Sequence, residues 1–82
     1  MTVNSFDFLF DYFVKREGEL ILQTIRDLDL IDSGLMDSLD LIEISEIISE
    51  NTGVHLDLDD ESTFIAMRKI DSLIEMVNKK LK

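Results

Sequence analysis

The stretch Asp37-Ser38-Leu39-Asp40-Leu41-Ile42-Glu43-Ile44-Ser45-Glu46-Ile47-Ile48-Ser49-Glu50-Asn51 decides the fold. An α-helix turns about 100° per residue, so Leu41, Ile44 and Ile48 fall on one narrow stripe. That stripe predicts the face turned to a core. Glu43, Glu46 and Glu50 fall nearly opposite, with Leu39 among them and Ile42 and Ile47 on the flanks. The helix therefore offers an acidic outer face with apolar residues set into it. Asp37 is a good N-cap, and Asp40 three residues on places a second carboxylate where it also helps. Ser38 can serve as the cap instead, so the helix begins at Asp37 or Ser38 and ends near Asn51, before Gly53.

Two further helical patterns flank this one. Phe6, Leu9, Phe10, Phe13 and Val14 recur at three- and four-residue spacings and predict a helix from about Ser5 to Glu17, stopped by Gly18. Met67, Ile70, Ile74, Val77 and Leu81 predict a third long helix from near Ala66 to about Lys80. Lys79, Lys80 and Lys82 suit the negative end of its dipole. Between the first two helices, Glu19 to Met36 is long for a loop. A short helical turn near Glu19–Arg26 is expected, with Leu20, Ile21, Leu22 and Ile25 at least partly covered, and Leu28, Leu30 and Ile31 tucking the rest onto the core. Asp59 or Asp60 starts one short helix ending at Phe64. The expected fold is all-α: three main helices and one short helix in a small bundle, a single domain over residues 1–82.

Composition bounds the chemistry. The chain has 82 residues, no cysteine, and a formal charge of −10. Without cysteine there is no disulfide, no zinc site built on thiolates and no cysteine nucleophile, so any thiol must come from a cofactor. Lys and Arg are absent from Asp27 to Met67. Nucleic acid and anionic lipid would be repelled by such a surface, whereas a basic protein would be attracted. At 45% hydrophobic, the chain has too much apolar content for a disordered acidic segment. No long apolar run predicts a membrane span, and Met1-Thr2-Val3-Asn4 has no basic region of a secretory signal, so a cytoplasmic protein is expected.

The stretch Leu30-Ile31-Asp32-Ser33-Gly34-Leu35-Met36-Asp37-Ser38-Leu39-Asp40-Leu41-Ile42-Glu43-Ile44 resembles the attachment site of the acyl carrier protein family. Its centre is Asp37-Ser38-Leu39, with a glycine shortly before and an acid and aliphatic residues after. Phe64-Ile65-Ala66-Met67-Arg68-Lys69-Ile70 resembles the family's Phe-x-Thr-Val-x-x-Ile junction, with Ala66 at the threonine place and Met67 at the valine place. The resemblance covers most of the chain. It implies a stand-alone, monomeric carrier that is not itself an enzyme. Ser38 would take 4′-phosphopantetheine from coenzyme A, and an acyl or aminoacyl group would ride on it as a thioester. The implied partners are a phosphopantetheinyl transferase, a loading ligase and acyl-transferring enzymes. Asp37, Leu39, Asp40, Ile42, Glu43 and Glu46 would form the docking face for them.

The sequence departs from the family at Glu46, where fatty-acid carriers commonly have an apolar residue, at Ala66, and across Gly18 to Arg26. A dedicated pathway for a polyketide, an amino acid or a modified sugar therefore stands level with fatty-acid synthesis. The tripeptide alone is a weak signal, since Asp71-Ser72-Leu73 repeats it inside the last predicted helix. Ser72 is expected to be structural. His55, the only histidine, reads as a loop residue. Asp57, Asp59, Asp60 and Glu61 fail the EF-hand spacing, because Ser62 stands sixth from Asp57 and Arg68 twelfth. Asp27, Asp29 and Asp32 fail as well, with Ser38 at the twelfth place. The competing function is a noncovalent acidic adaptor that docks a basic protein through its second helix.

Overall fold

A computed structural model describes residues 6–81. Four α-helices follow one another: α1 (Asp7–Glu17), α2 (Ser38–Thr52), α3 (Glu61–Ala66) and α4 (Ile70–Leu81), with a 3-10 helix at Glu19–Gln23. No strand occurs among the described residues, so the all-α reading holds. Ser5, the expected start of the first helix, lies outside the described residues, as do Met1–Asn4 and Lys82.

Each helix follows from its local sequence. The α1 stripe buries Phe6, Leu9 and Phe13, and Gly18 ends the helix by donating its N–H to the Val14 carbonyl at φ 90°. Helix α2 buries Leu41, Ile44 and Ile48 and stops at Gly53, which is left-handed. Asp60 caps α3 by accepting from the Ser62 amide. Helix α4 turns Ile70, Leu73 and Val77 inward. These faces meet in one core with Ile25, Leu30, Met36, Val54 and Met67. Helix α1 packs on the 3-10 segment and on α2, and α3 packs on α4.

Two expectations need correction. The last long helix begins at Ile70, not near Ala66, and α3 continues past Phe64 to Ala66. The break at Met67–Lys69 has a cause. The Arg68 carbonyl accepts the Leu30 amide at 2.6 Å, and Arg68 reaches Asp29 Oδ2 at 2.9 Å and Asp32 Oδ2 at 2.6 Å. The break thus bonds with the loop before α2 in place of a continuing helical ladder. The second correction concerns Leu20 and Leu22. Ile25 is fully buried and Ile21 half-buried, but Leu20 and Leu22 stand 76% and 47% exposed. Neighbouring side chains on the tight 3-10 turn cannot all face one core.

Candidate functional site

The start of α2 is built as a reciprocal cap. Asp37 Oδ1 accepts the Asp40 amide at 3.0 Å, and Asp40 Oδ2 accepts the Asp37 amide at 3.0 Å. Asp37 is therefore the N-cap, and Ser38 is the first helical residue. Its side chain is exposed, and no hydrogen bond engages its hydroxyl among the described residues. The amides of Ser38 and Leu39 have no carbonyl one turn back to bond, so the helix start presents free donors beside the hydroxyl.

Upstream, the loop that leads into Ser38 is tied down. The Asp29 carboxylate accepts the amides of Asp32 and Ile31, and Arg68 pairs with it. Those hydrogen bonds, the Asp32 amide first, hold its carboxyl below the ordinary carboxylate range. Lys69 Nζ donates to the Asp27 carbonyl, and Arg26 pairs with Asp71. The acidic stretch has no cation of its own, yet cations from outside it fold back onto it: Arg16 reaches Asp40 and Arg68 reaches Asp29 and Asp32.

An apolar groove of about 410 Å³ opens beside Ser38, between α2 and α3. Leu41, Ile42, Leu58, Phe64 and Met67 line it together with Ser38 and Asp59. Leu39 is 73% exposed and Ile42 47%, in keeping with apolar residues set into the outer face. Phe64 and Ile65 on α3 are also exposed, and no site role was expected of them. The alternation around Leu56 and Leu58 gave no sign that the short helix would turn two large side chains outward, Phe64 among them at the groove beside Ser38.

The expected docking residues do not form one set. Asp37, Leu39, Ile42 and Glu43 gather around the start of α2 and are exposed. Glu46 is exposed but stands roughly 12 Å further along the helix from Ser38, at 1.5 Å per residue. It lines a different groove with Ser49, Glu50 and His55, where the His55 ring nitrogen lies 3.1 Å from the Ser49 hydroxyl. Asp40 is half-buried and turned toward α1. Ser72, in the first turn of α4, donates to the carbonyls of Ala66 at 2.6 Å and Lys69 at 3.0 Å.

Among the described residues, no cluster of three or more His, Asp or Glu side chains could hold a metal ion. Nor is any described helix long and apolar enough to cross a membrane. In comparisons with known proteins, the chain matches no family model, no curated protein and no solved structure.

Proposed function

We propose that this protein is a covalent group carrier of the acyl carrier type, with 4′-phosphopantetheine attached through Ser38. One observation carries the reading. The Ser38 hydroxyl is exposed and unpartnered at the first position of a well-capped helix, at the edge of an apolar groove. The first-turn amides and the helix dipole favour a phosphodiester there. In the transfer, the serine oxygen forms a P–O bond as the pyrophosphate of coenzyme A breaks. Adenosine 3′,5′-bisphosphate leaves, and the hydroxyl proton passes to a base on the transferase. The arm supplies the thiol that this cysteine-free chain lacks, and the groove offers an acyl chain partial shelter from water. The chain itself brings no catalytic group to the cargo. Its role is to present the arm to a transferase, a loading ligase and acyl-transferring enzymes.

Docking to those enzymes runs through Asp37, Leu39, Ile42 and Glu43, with Phe64 extending the apolar part. Exposed apolar side chains among carboxylates fit a partner whose apolar knob is ringed by Arg and Lys. The same face would serve a noncovalent adaptor, and modification separates the two. Incubation with a broad-specificity phosphopantetheinyl transferase, coenzyme A and magnesium should raise the intact mass by one phosphopantetheine. Peptide mapping should place it on Ser38. Ser38→Ala should fold and gain nothing, and Ser72→Ala should still be modified. An unmodified wild-type protein, or a modified Ser38→Ala, overturns the carrier reading.

A further inference from the structure

We propose that Tyr12, Arg16 and Asp40 form a strut that locks the first turn of α2 against α1 and so aims the Ser38 hydroxyl. On this view Asp40 is a positioning residue and not part of the docking rim. The inference rests on the carrier reading for its purpose, though not for its geometry.

The geometry is a closed triangle. Arg16 lies 2.8 Å from Asp40 Oδ1, and the Tyr12 hydroxyl donates to the same oxygen at 3.3 Å. Arg16 also donates to the Tyr12 hydroxyl at 3.2 Å and stacks its guanidinium over the Tyr12 ring at 5.5 Å. The ring meets Phe13 edge-on at 5.3 Å, and Phe13 is fully buried. The triangle is thus rooted in the core of α1. The other oxygen of Asp40 holds the Asp37 amide, immediately before Ser38. One carboxylate therefore engages α1 on one side and the backbone leading to the attachment serine on the other.

The consequences follow from charge and direction. A carboxylate offers about four acceptor sites, and three are used within the chain. Its charge is matched by Arg16, so it gives little to an incoming arginine. The Asp37 amide, then Arg16 and Tyr12, holds the Asp40 carboxyl below the ordinary range, so it stays ionised in this role. Asp40 and Ser38 lie about 200° apart around the helix. Fixing the one against α1 points the other at the groove, away from α1.

The test uses Arg16→Gln, Asp40→Asn, the double variant and Arg16→Lys. Amide hydrogen exchange reads the strut without any transferase. Exchange at Asp40 and Leu41 should quicken about five- to tenfold in each single variant, while α4 keeps its protection. The double variant should be no worse than the poorer single one, since both remove the same contact. Arg16→Lys keeps the charge but not the planar fork, and should recover only part of the protection. In transferase assays, both single variants should lower kcat about threefold or more with KM changed less than about twofold, at low and high salt alike.

A docking role predicts the opposite pattern. Arg16→Gln would free the Asp40 carboxylate and lower KM, and Asp40→Asn would raise KM in a salt-dependent way. That pattern, or wild-type exchange in Arg16→Gln, overturns the strut. If Asp40→Asn does not fold, Tyr12→Phe and Arg16→Gln carry the exchange test. A wild-type protein that accepts no phosphopantetheine defeats the carrier reading, while the exchange data still decide whether the strut exists.

Discussion

At Asp37-Ser38-Leu39 a helix begins in solvent; at Asp71-Ser72-Leu73 the same three residues are part of a helix already under way. In α2 the aspartate is the N-cap and the serine the first helical residue. In α4 the helix starts at Ile70, so Asp71 and Ser72 are its second and third residues. The register differs by two positions, which is about 200° of rotation. That rotation sends Leu39 out, 73% exposed, and Leu73 in, fully buried. It leaves the Ser38 hydroxyl open and gives the Ser72 hydroxyl to two carbonyls. Leu41 and Leu73 hold the same place relative to their helix starts, and both are buried. The motif's chemistry is therefore set by helix phase, not by the tripeptide.

The sharpest way to break the comparison is to truncate both leucines. Leu73→Ala should cost about 2–5 kcal/mol, because it opens a cavity in the core. Leu39→Ala should stay within about 0.5 kcal/mol in the free protein. Denaturant unfolding measures both. Similar losses at the two sites would mean that Leu39 is covered in solution.

The aspartates should differ less. Asp37→Ala removes an N-cap and should cost about 1 kcal/mol. Asp71 makes an ion pair with Arg26 in which both side chains are more than half exposed. Asp71→Ala should therefore cost about 0–1 kcal/mol, shrinking as salt is added. A larger loss at Asp71 than at Asp37 would reverse the assignment of cap and surface pair. The serines follow the same order on a smaller scale. Ser72→Ala should cost about 1 kcal/mol for its hydroxyl contacts, and Ser38→Ala close to nothing.

Acid sharpens the contrast further. The Asp40 carboxyl is held low in the fold by the Asp37 amide, then by Arg16 and Tyr12. A depressed value means that its stabilisation is complete above the ordinary carboxylate range and fades as pH falls through the folded value. The start of α2 should therefore loosen below about pH 4. The Asp29 carboxylate paired with Arg68 just before α4 titrates as well, but the Ser72 hydroxyl and the Arg68 carbonyl do not, so the start of α4 should loosen later. Backbone 15N order parameters at residues 38–41 and 70–73 follow the two starts separately. Loss of order at 70–73 first would contradict the mechanism.

The smallest expected effect is that of salt on the whole fold. Glu43, Glu46 and Glu50 face solvent on α2, and the chain carries a formal charge of −10. Screening that repulsion should raise the melting temperature by a few degrees, about 2–5 °C, even as it weakens the surface pairs. A flat or falling melting temperature would show that the returned cations, Arg16 and Arg68, matter more than the acidic excess.

Sequence alone was enough for the three long helices and the inner face of α2, but it left the cap open between Asp37 and Ser38 and placed Ile74, not the fully buried Leu73, on the inner face of α4. The legible features are local: a periodic apolar stripe needs only something to pack against, and a cap bonds within its own turn. The stripe through Leu41, Ile44 and Ile48 and the short helix after Asp60 were legible for that reason. Tertiary structure alone decided the break at Met67–Lys69, the exposure of Leu20 and Leu22, and the partners of Asp40 and Arg68. It also placed Phe64 in one groove with Ser38. Each of these depends on residues far apart in the chain, as when Arg16 meets Asp40 or Arg68 meets Asp29. A charge has no period, so the sequence states that a carboxylate exists but not which cation the fold will bring to it. The same division separates the two Asp-Ser-Leu copies. The phase that opens Ser38 is set by a cap within its own turn, whereas the start of α4 follows the break where the Arg68 carbonyl accepts the Leu30 amide, a contact that no local pattern announces.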